Sequence, residues 1–418
     1  MKYKDRIVES QIDDLLESTG AILIEGARWC GKTCTAEKKS ASSIYMLHPD
    51  HRESYIHLAH SNATKLLSGD APRLIDEWQI APILWDAIKY TVDQRGKTGQ
   101  FILTGSAVPP EDNKRHSGAG RFSRLLMRPM SLFESGESDG SVSLGAIFES
   151  PDEINGFSDF SVDEISALIT RGGWPELLGK SEKAIANSMD GYVSSIVNVD
   201  ISRVDGINRN PAMVRKLLQS LSRNISTMAS MTTIQKDMAG DDSSISDKTV
   251  SDYINSLRRI FVVESLPAWN PILRSKTAIR TSSKHHFVDP SIAMAAIGIS
   301  SSELVLDFKT LGILFESLCI RDLRVYAQAI GGEVFHYRDR NDLEADAIIH
   351  LRGGRWGAIE IKLGHRMDEG AENLIKLKSR IDLDRMRPPS FLMVITSTGY
   401  AYRRSDGVLV VPIGCLKH

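Results

Sequence analysis

Cysteine is scarce in this 418-residue chain, and the four present are Cys30, Cys34, Cys319 and Cys415. That count and scatter exclude a disulfide scaffold and leave no zinc spacing. Cys30 and Cys34 alone are close, and their place inside a glycine loop reads as filler rather than as a metal or redox pair. Charge of one sign is lacking too: 51 basic against 53 acidic residues give a net −2, so any attraction to a polyanion has to be local. No run approaches the ~18 apolar residues of a membrane span. The first residues, MKYKDRIVESQIDDLL, are charged and helix-periodic, without the apolar heart of a signal peptide, so the expected compartment is the cytoplasm. Hydrophobic content of 42% and charged content of 25% are those of an ordinary globular chain, long enough for two or three domains.

What is present begins at Ala21. Ala21 to Ile24 read as a buried strand, and GARWCGKT (Gly26, Ala27, Arg28, Trp29, Cys30, Gly31, Lys32, Thr33) has the spacing of a phosphate-binding P-loop. Its glycines let backbone N–H groups turn inward around phosphate oxygens, and the helix opening behind them, with Cys34 in its first turn, adds its dipole. Lys32 supplies charge for the outer phosphates of ATP and Thr33 a hydroxyl for Mg²⁺.

A second strand is expected over Ser54–Ala59. Then LIDEWQ sets Asp76 and Glu77 at a strand's C-terminal end, on a strand expected to lie next to that of the P-loop. Asp76 suits the metal and Glu77 suits activation of the attacking water. After a helix over Pro82–Asp93, QFILTGS forms another strand that ends with Thr104 and Ser106 near the terminal phosphate. A polar loop from Glu111 delivers Gly120 and Arg121. Arg121 is the candidate arginine finger, acting in its own chain or in a neighbouring subunit of a homo-oligomer. Alternating strands and helices give an α/β domain with a parallel sheet.

GARWCGKT, LIDEWQ, FILTGSA and AGRF together resemble a group of bacterial and archaeal proteins in which an AAA-type P-loop ATPase is joined to a C-terminal domain of unknown function. The likeness continues through GGWPE (172–176), EADAII (344–349) and IEIK (359–362). Trp29 and Cys30 depart from the glutamine and small aliphatic residue expected there. The resemblance implies a Mg²⁺-dependent ATPase over residues 1–150.

Residues 134–160 are rich in Ser, Gly and acidic residues and read as a boundary or exposed excursion. Helices are expected over 163–169, 184–200, 213–225, 232–238 and 247–261, then a strand at 261–265. That order is the plan of a winged helix, assigned to 151–288 with its helical linker. No acidic residue occurs from Ser265 to Val288, whereas Arg274, Lys276, Arg280 and Lys284 recur, so this wing is the candidate contact for DNA. His285 and His286 are rejected as a metal pair, because neighbours in a strand face opposite ways.

Over 289–418 a helix carries Glu316. A hairpin follows, with Asp346 on one strand and Glu360-x-Lys362 on the next, the arrangement of PD-(D/E)xK nucleases. Residues two apart on a strand share a face, so Asp346 and Glu360 can hold Mg²⁺, Lys362 can steady phosphate charge, and Glu316 can complete the shell. An ATPase moving its C-terminal parts on nucleic acid, an ATP-gated DNA nuclease, and a nucleotide-dependent protein-interaction switch all fit this order.

Overall fold

The computed structural model describes residues 3–105, 120–239, 245–271, 282–364 and 366–418. The chain divides into two compact units. One comprises residues 1–129, 200–208 and 256–261, and the other comprises residues 130–199, 209–255 and 262–418. Among the described residues no helix is long and apolar enough to cross a membrane.

The first unit runs α1 (Val8–Ser18), β1 (Ala21–Glu25), α2 (Lys32–Lys38), β2 (Ser42–Tyr45), α3 (Arg52–Leu66), β3 (Arg73–Asp76), α4 (Leu84–Arg95), β4 (Phe101–Gly105) and β5 (Phe122–Leu126). All five strands are parallel, in the order β2-β3-β4-β1-β5. Every residue of β1 and of β4 is buried, as expected of central strands covered on both faces. On one face α4 lays Leu84, Trp85, Ile88 and Val92 into the core, where the Trp85 ring stacks on Phe122 at 4.0 Å.

Ser54–Ala59 is not a strand but part of α3. Tyr55, Leu58, Ala59 and Ala63 pack toward the core at helical spacing, a period that a six-residue window is too short to reveal. The second strand is the serine-rich Ser42–Tyr45. The sheet order corrects a further expectation: β4 lies between β1 and β3, so the P-loop strand and the acidic strand are not neighbours.

The second unit contains α5 (Leu132–Ser135), β6 (Val142–Ser143), α6 (Leu144–Glu149), β7 (Gly156–Ser158), α7 (Val162–Arg171) and α8 (Glu182–Ser195). Residues 134–160 are therefore not an excursion: β6 pairs with the chain's last strand and β7 joins the main sheet. A π-helical turn, Ile196–Asp200, leads to the short α9 (Ile201–Arg203). Then come α10 (Pro211–Arg223), α11 (Met231–Ala239) and α12 (Asp247–Arg259), whose Val250, Ile254 and Leu257 are buried at helical spacing. The expected strand at 261–265 is absent as a regular element. Isolated bridges, Val263 with Phe287 and Leu266 with Lys284, stitch this segment antiparallel to 282–288.

The remainder is α13 (Ser291–Ile297), α14 (Ser301–Leu306), α15 (Phe308–Ala329), β8 (Gly332–Arg338), β9 (Glu344–Leu351), β10 (Trp356–Lys362), α16 (Met367–Arg380), β11 (Phe391–Thr396), β12 (Gly399–Arg403), β13 (Leu409–Pro412) and β14 (Leu416–Lys417). Seven strands form one mixed sheet in the order β7-β12-β13-β11-β10-β9-β8. Trp269, Trp356, Ala358, Leu374, Leu377 and Val394 belong to its core.

The GGWPE stretch has a structural role in this unit. Gly172, at φ +68°, sits where an added Cβ would lie 2.3 Å from Asp289 Oδ1. The Gly173 N–H donates to Asp289 Oδ2 at 2.9 Å and Trp174 Nε1–H to Ser291 Oγ at 2.8 Å. Arg321, itself buried, bridges Asp289 and Asp322.

Candidate functional site

In a parallel sheet all strands end along the same edge, and this edge gathers Gly26 after β1, Asp76 at the end of β3 and Thr104 near the end of β4. Gly26, at φ +152°, presses on the chain after β5, where an added Cβ would lie 2.1 Å from the Met127 carbonyl oxygen. Gly31, at φ +99°, caps α2 in a left-handed conformation that a side chain resists. Trp29 is left-handed too (φ +66°) and 42% exposed. The loop is braced from behind. Arg6 donates from Nη1 to the Cys30 carbonyl at 2.6 Å and from Nη2 to the Arg128 carbonyl at 2.8 Å. The Cys30 thiol reaches the Met127 carbonyl at 3.4 Å. Sequence reasoning missed Arg6, Met127 and Arg128 because no local spacing links them to the loop.

Lys32 is buried, and its Nζ donates to the loop's own carbonyls, Gly26 at 2.9 Å and Ala27 at 2.8 Å. The ammonium is thereby held at the loop. Two hydroxyls then converge on one oxygen. Thr33 Oγ1 donates to Asp76 Oδ1 at 2.7 Å, and Thr104 Oγ1 donates to the same atom at 2.6 Å. The Glu77 N–H in turn donates to Thr104 Oγ1 at 3.3 Å. Three separate elements are therefore tied at one carboxylate, which explains the use of having β4 between the other two.

Glu77 adopts φ 55°, ψ 46°, left-handed without being glycine, a conformation that costs of order 1–3 kcal/mol and is sustained by its surroundings. Its Oε2 accepts from Gln79 Nε2, a partner the sequence did not single out. Arg28 pairs with Asp200 at 2.7 Å, Cys34 is exposed, and Ser106 lies outside the described residues.

Arg121 is not brought to this edge. It precedes β5, its carbonyl accepts from Ala21 N–H, and its Nε pairs with Asp93 at 2.8 Å. Because β1 and β5 run parallel from Ala21 and Phe122, Arg121 stands at the opposite edge of the sheet, roughly 16 Å of strand from the loop. The expectation of a finger acting within its own chain is corrected accordingly.

A second acidic cluster lies in the other unit. β9 and β10 pair antiparallel, with Ala347 opposite Ile359, so Asp346 and Glu360 come together one step further on. Asp346 Oδ2 also accepts the Ile361 N–H at 2.8 Å. Lys362 Nζ lies 2.6 Å from Glu360 Oε2. Lys284 is placed unexpectedly. Its Nζ is 2.9 Å from Glu316, 2.7 Å from Glu344 and 3.5 Å from Asp346. It is buried, so it is not the exposed wing cation expected from the sequence, and Arg274, Lys276 and Arg280 lie outside the described residues.

Burial pushes the Glu316 carboxyl up to about 8 against the pull of Lys284, with Asp346 and Glu344 adding to the rise. Burial and then Asp346 push Glu360 well above the usual carboxylate range. For Lys284 burial works the other way, but Glu316, Asp346 and Glu344 outweigh it and strengthen its hold on the proton. Among the described residues no three His, Cys, Asp or Glu side chains already surround a metal position. His285 and His286 engage different groups, the Ala229 carbonyl and the Ser317 hydroxyl, in keeping with their rejection as a pair.

A parallel sheet carrying this loop and carboxylate arrangement is that of a P-loop nucleotide-binding domain. Residues 18–135 match the family model described as an AAA domain, which makes the first unit a P-loop ATPase domain of the AAA type. Residues 162–303 and 311–416 match two domains of unknown function, DUF8612 and DUF4143. Two uncharacterized proteins, one from Mycobacterium bovis and one from Mycobacterium tuberculosis, are each 22% identical over 340 residues, 81% of this chain and 67% of theirs. Among solved structures, a Walker-type ATPase of Pyrococcus abyssi aligns over 70% of this chain and 96% of its own at 16% identity, with a TM-score of 0.47.

Proposed function

We propose that the protein binds ATP with Mg²⁺ in the loop Gly26–Thr33 and hydrolyses it. The observation that carries this reading is the convergence of Thr33 and Thr104 on Asp76 Oδ1 beside a glycine loop that holds Lys32 inward. The donor set fits both ligands: hard hydroxyl and carboxylate oxygens suit Mg²⁺, and a loop with no room for a Cβ at Gly26 suits close approach of phosphate oxygens. Mg²⁺ would neutralise the charge that develops on the phosphates. Lys32 would exchange its loop carbonyls for phosphate oxygens, Thr33 and Asp76 would orient the metal, and Thr104 would keep Asp76 in place. Glu77, released from Gln79, would take the proton of the attacking water. Arg121 can serve as a finger only toward a second copy of the chain.

The test is direct. Lys32→Ala should abolish fluorescent-nucleotide binding, and Glu77→Gln should retain binding while losing turnover. Binding unchanged in Lys32→Ala would end the proposal.

We further read α10, α11 and α12 with the bridged segments 262–269 and 282–288 as a winged helix, and β8–β11 with α15 as a nuclease-like core, through which ATP turnover shifts these parts on nucleic acid. A second reading, a nucleotide-dependent switch for a protein partner, is favoured by one observation: Lys284 occupies the carboxylates that cleavage would need. Salt-sensitive binding of duplex DNA supports the first, and its absence the second.

A further inference from the structure

The cluster around Lys284 has features that a plain buried ion pair does not require. Its oxygens come from three places: Glu316 on α15, Glu344 and Asp346 on β9, and Glu360 on β10. A single ammonium, 3% exposed, reaches the first three at 2.7–3.5 Å. Its backbone is pinned from both sides, since Lys284 N–H donates to the Leu266 carbonyl and the Lys284 carbonyl accepts from Leu266 N–H, each at 2.9 Å. The remaining positive groups are peripheral: Lys362 pairs with Glu360 at 2.6 Å, and Arg338 reaches the outer oxygen of Glu344 at 3.5 Å.

One atom is left over. Glu360 is 2% exposed, yet its Oε1 is buried with no hydrogen-bond partner. Such an orphan costs about 1–3 kcal/mol, more when charged, unless something joins it. Converging carboxylates with an unfilled oxygen are what a divalent, oxygen-preferring cation selects, whereas one ammonium brings three donors and a single charge.

We propose that this cluster is a cation site whose resident occupant is the chain's own Lys284 ammonium, and that a divalent cation of the Mg²⁺/Mn²⁺ class enters only when that ammonium is withdrawn. The site is thereby latent: the chain carries its own plug. The inference goes beyond the ATP reading and rests on the second unit alone, so the Lys32→Ala protein must give the same result as wild type in the test that follows.

The experiment measures Mn²⁺ bound to the nucleotide-free full chain by electron paramagnetic resonance, alongside thermal melts with and without Mn²⁺. Wild type and Asp346→Asn should bind Mn²⁺ identically, because the plug already fills the site. Lys284→Met should gain one Mn²⁺ equivalent and a melting midpoint that Mn²⁺ raises, and Asp346→Asn introduced into that background should abolish both. Lys284→Met leaves several buried carboxylates uncompensated, so Lys284→Met/Glu316→Gln is examined in parallel, with one carboxylate fewer and the same gain expected. Mn²⁺ uptake by wild type that Asp346→Asn removes would overturn the proposal, as would a folded Lys284→Met that gains no ion. If both lysine variants stay unfolded in saturating Mn²⁺, the ion is no substitute for the ammonium and the proposal fails equally.

Discussion

Replacing Thr104 by valine keeps the shape of a fully buried β-branched side chain and removes only its hydroxyl. Two hydrogen bonds go with it, the donation to Asp76 Oδ1 at 2.6 Å and the acceptance from Glu77 N–H at 3.3 Å. The first is charge-assisted, and such a bond contributes about 1.5–3 kcal/mol net. If that is lost only where Asp76 must hold its position, steady-state ATP turnover should fall roughly 10- to 150-fold, since 1.4 kcal/mol is about a factor of ten. Nucleotide affinity should change little, because Thr104 faces Asp76 rather than the loop backbone. Thr104→Ser, which restores the hydroxyl, should recover most of the rate. The assay is steady-state phosphate release with saturating Mg·ATP, with Kd from a fluorescent analogue. A valine variant within twofold of wild type would refute the claim that β4 exists between its neighbours to hold the carboxylate of β3.

Glu77→Gln should lower kcat by about 10²- to 10⁴-fold with affinity unchanged, and an equal loss of both would reassign Glu77 to binding. Arg321→Met strands the carboxylates of Asp289 and Asp322 in the core and should cost about 3–5 kcal/mol, read as a lower urea midpoint; an unshifted midpoint would show the network to be dispensable. Burial holds the His336 imidazole down at about 4 from an ordinary 6.5, because its Nε2 faces the Ser282 carbonyl among desolvating neighbours. The native state therefore binds fewer protons than the unfolded chain between those values. Stability is full above pH 6.5 and declines as pH falls toward 4, by up to about 3 kcal/mol from a shift of 6.5 to about 4. His336→Gln should flatten that decline in pH-dependent denaturation, and an unchanged slope would assign the acid sensitivity elsewhere.

The P-loop, the Asp76–Glu77 pair and the β9–β10 carboxylates were legible because their chemistry is written in local spacing, three to six residues at a time. Thr104 was legible for the same reason, as a hydroxyl closing an apolar strand. Arg121 was misplaced because its role depends on which end of β5 it occupies, and that follows from sheet order, a long-range property. Ser54–Ala59 was misread because six residues contain less than two helical turns. Lys284 was the least accessible. A basic run without acids reads as a surface, and only the fold brings Glu316, Glu344 and Asp346 from thirty or more residues away to surround it. Arg6 and Gln79 act through the backbone or a neighbouring side chain, and nothing in their immediate sequence announces it.

The first compact unit is not one continuous length of polypeptide: residues 200–208 and 256–261 return to it after long stretches spent in the second. Asp200, the partner of Arg28, belongs to the first of these returns, and Arg259, which reaches the Val204 carbonyl at 3.0 Å, to the second. A fragment ending at residue 129 or 150 would thus be an ATPase missing two of its pieces, and Arg28 in the phosphate loop would have lost its anion. Domain dissection of this protein by simple truncation will consequently misreport the engine, and internal replacements that keep both returning segments are the way to isolate it.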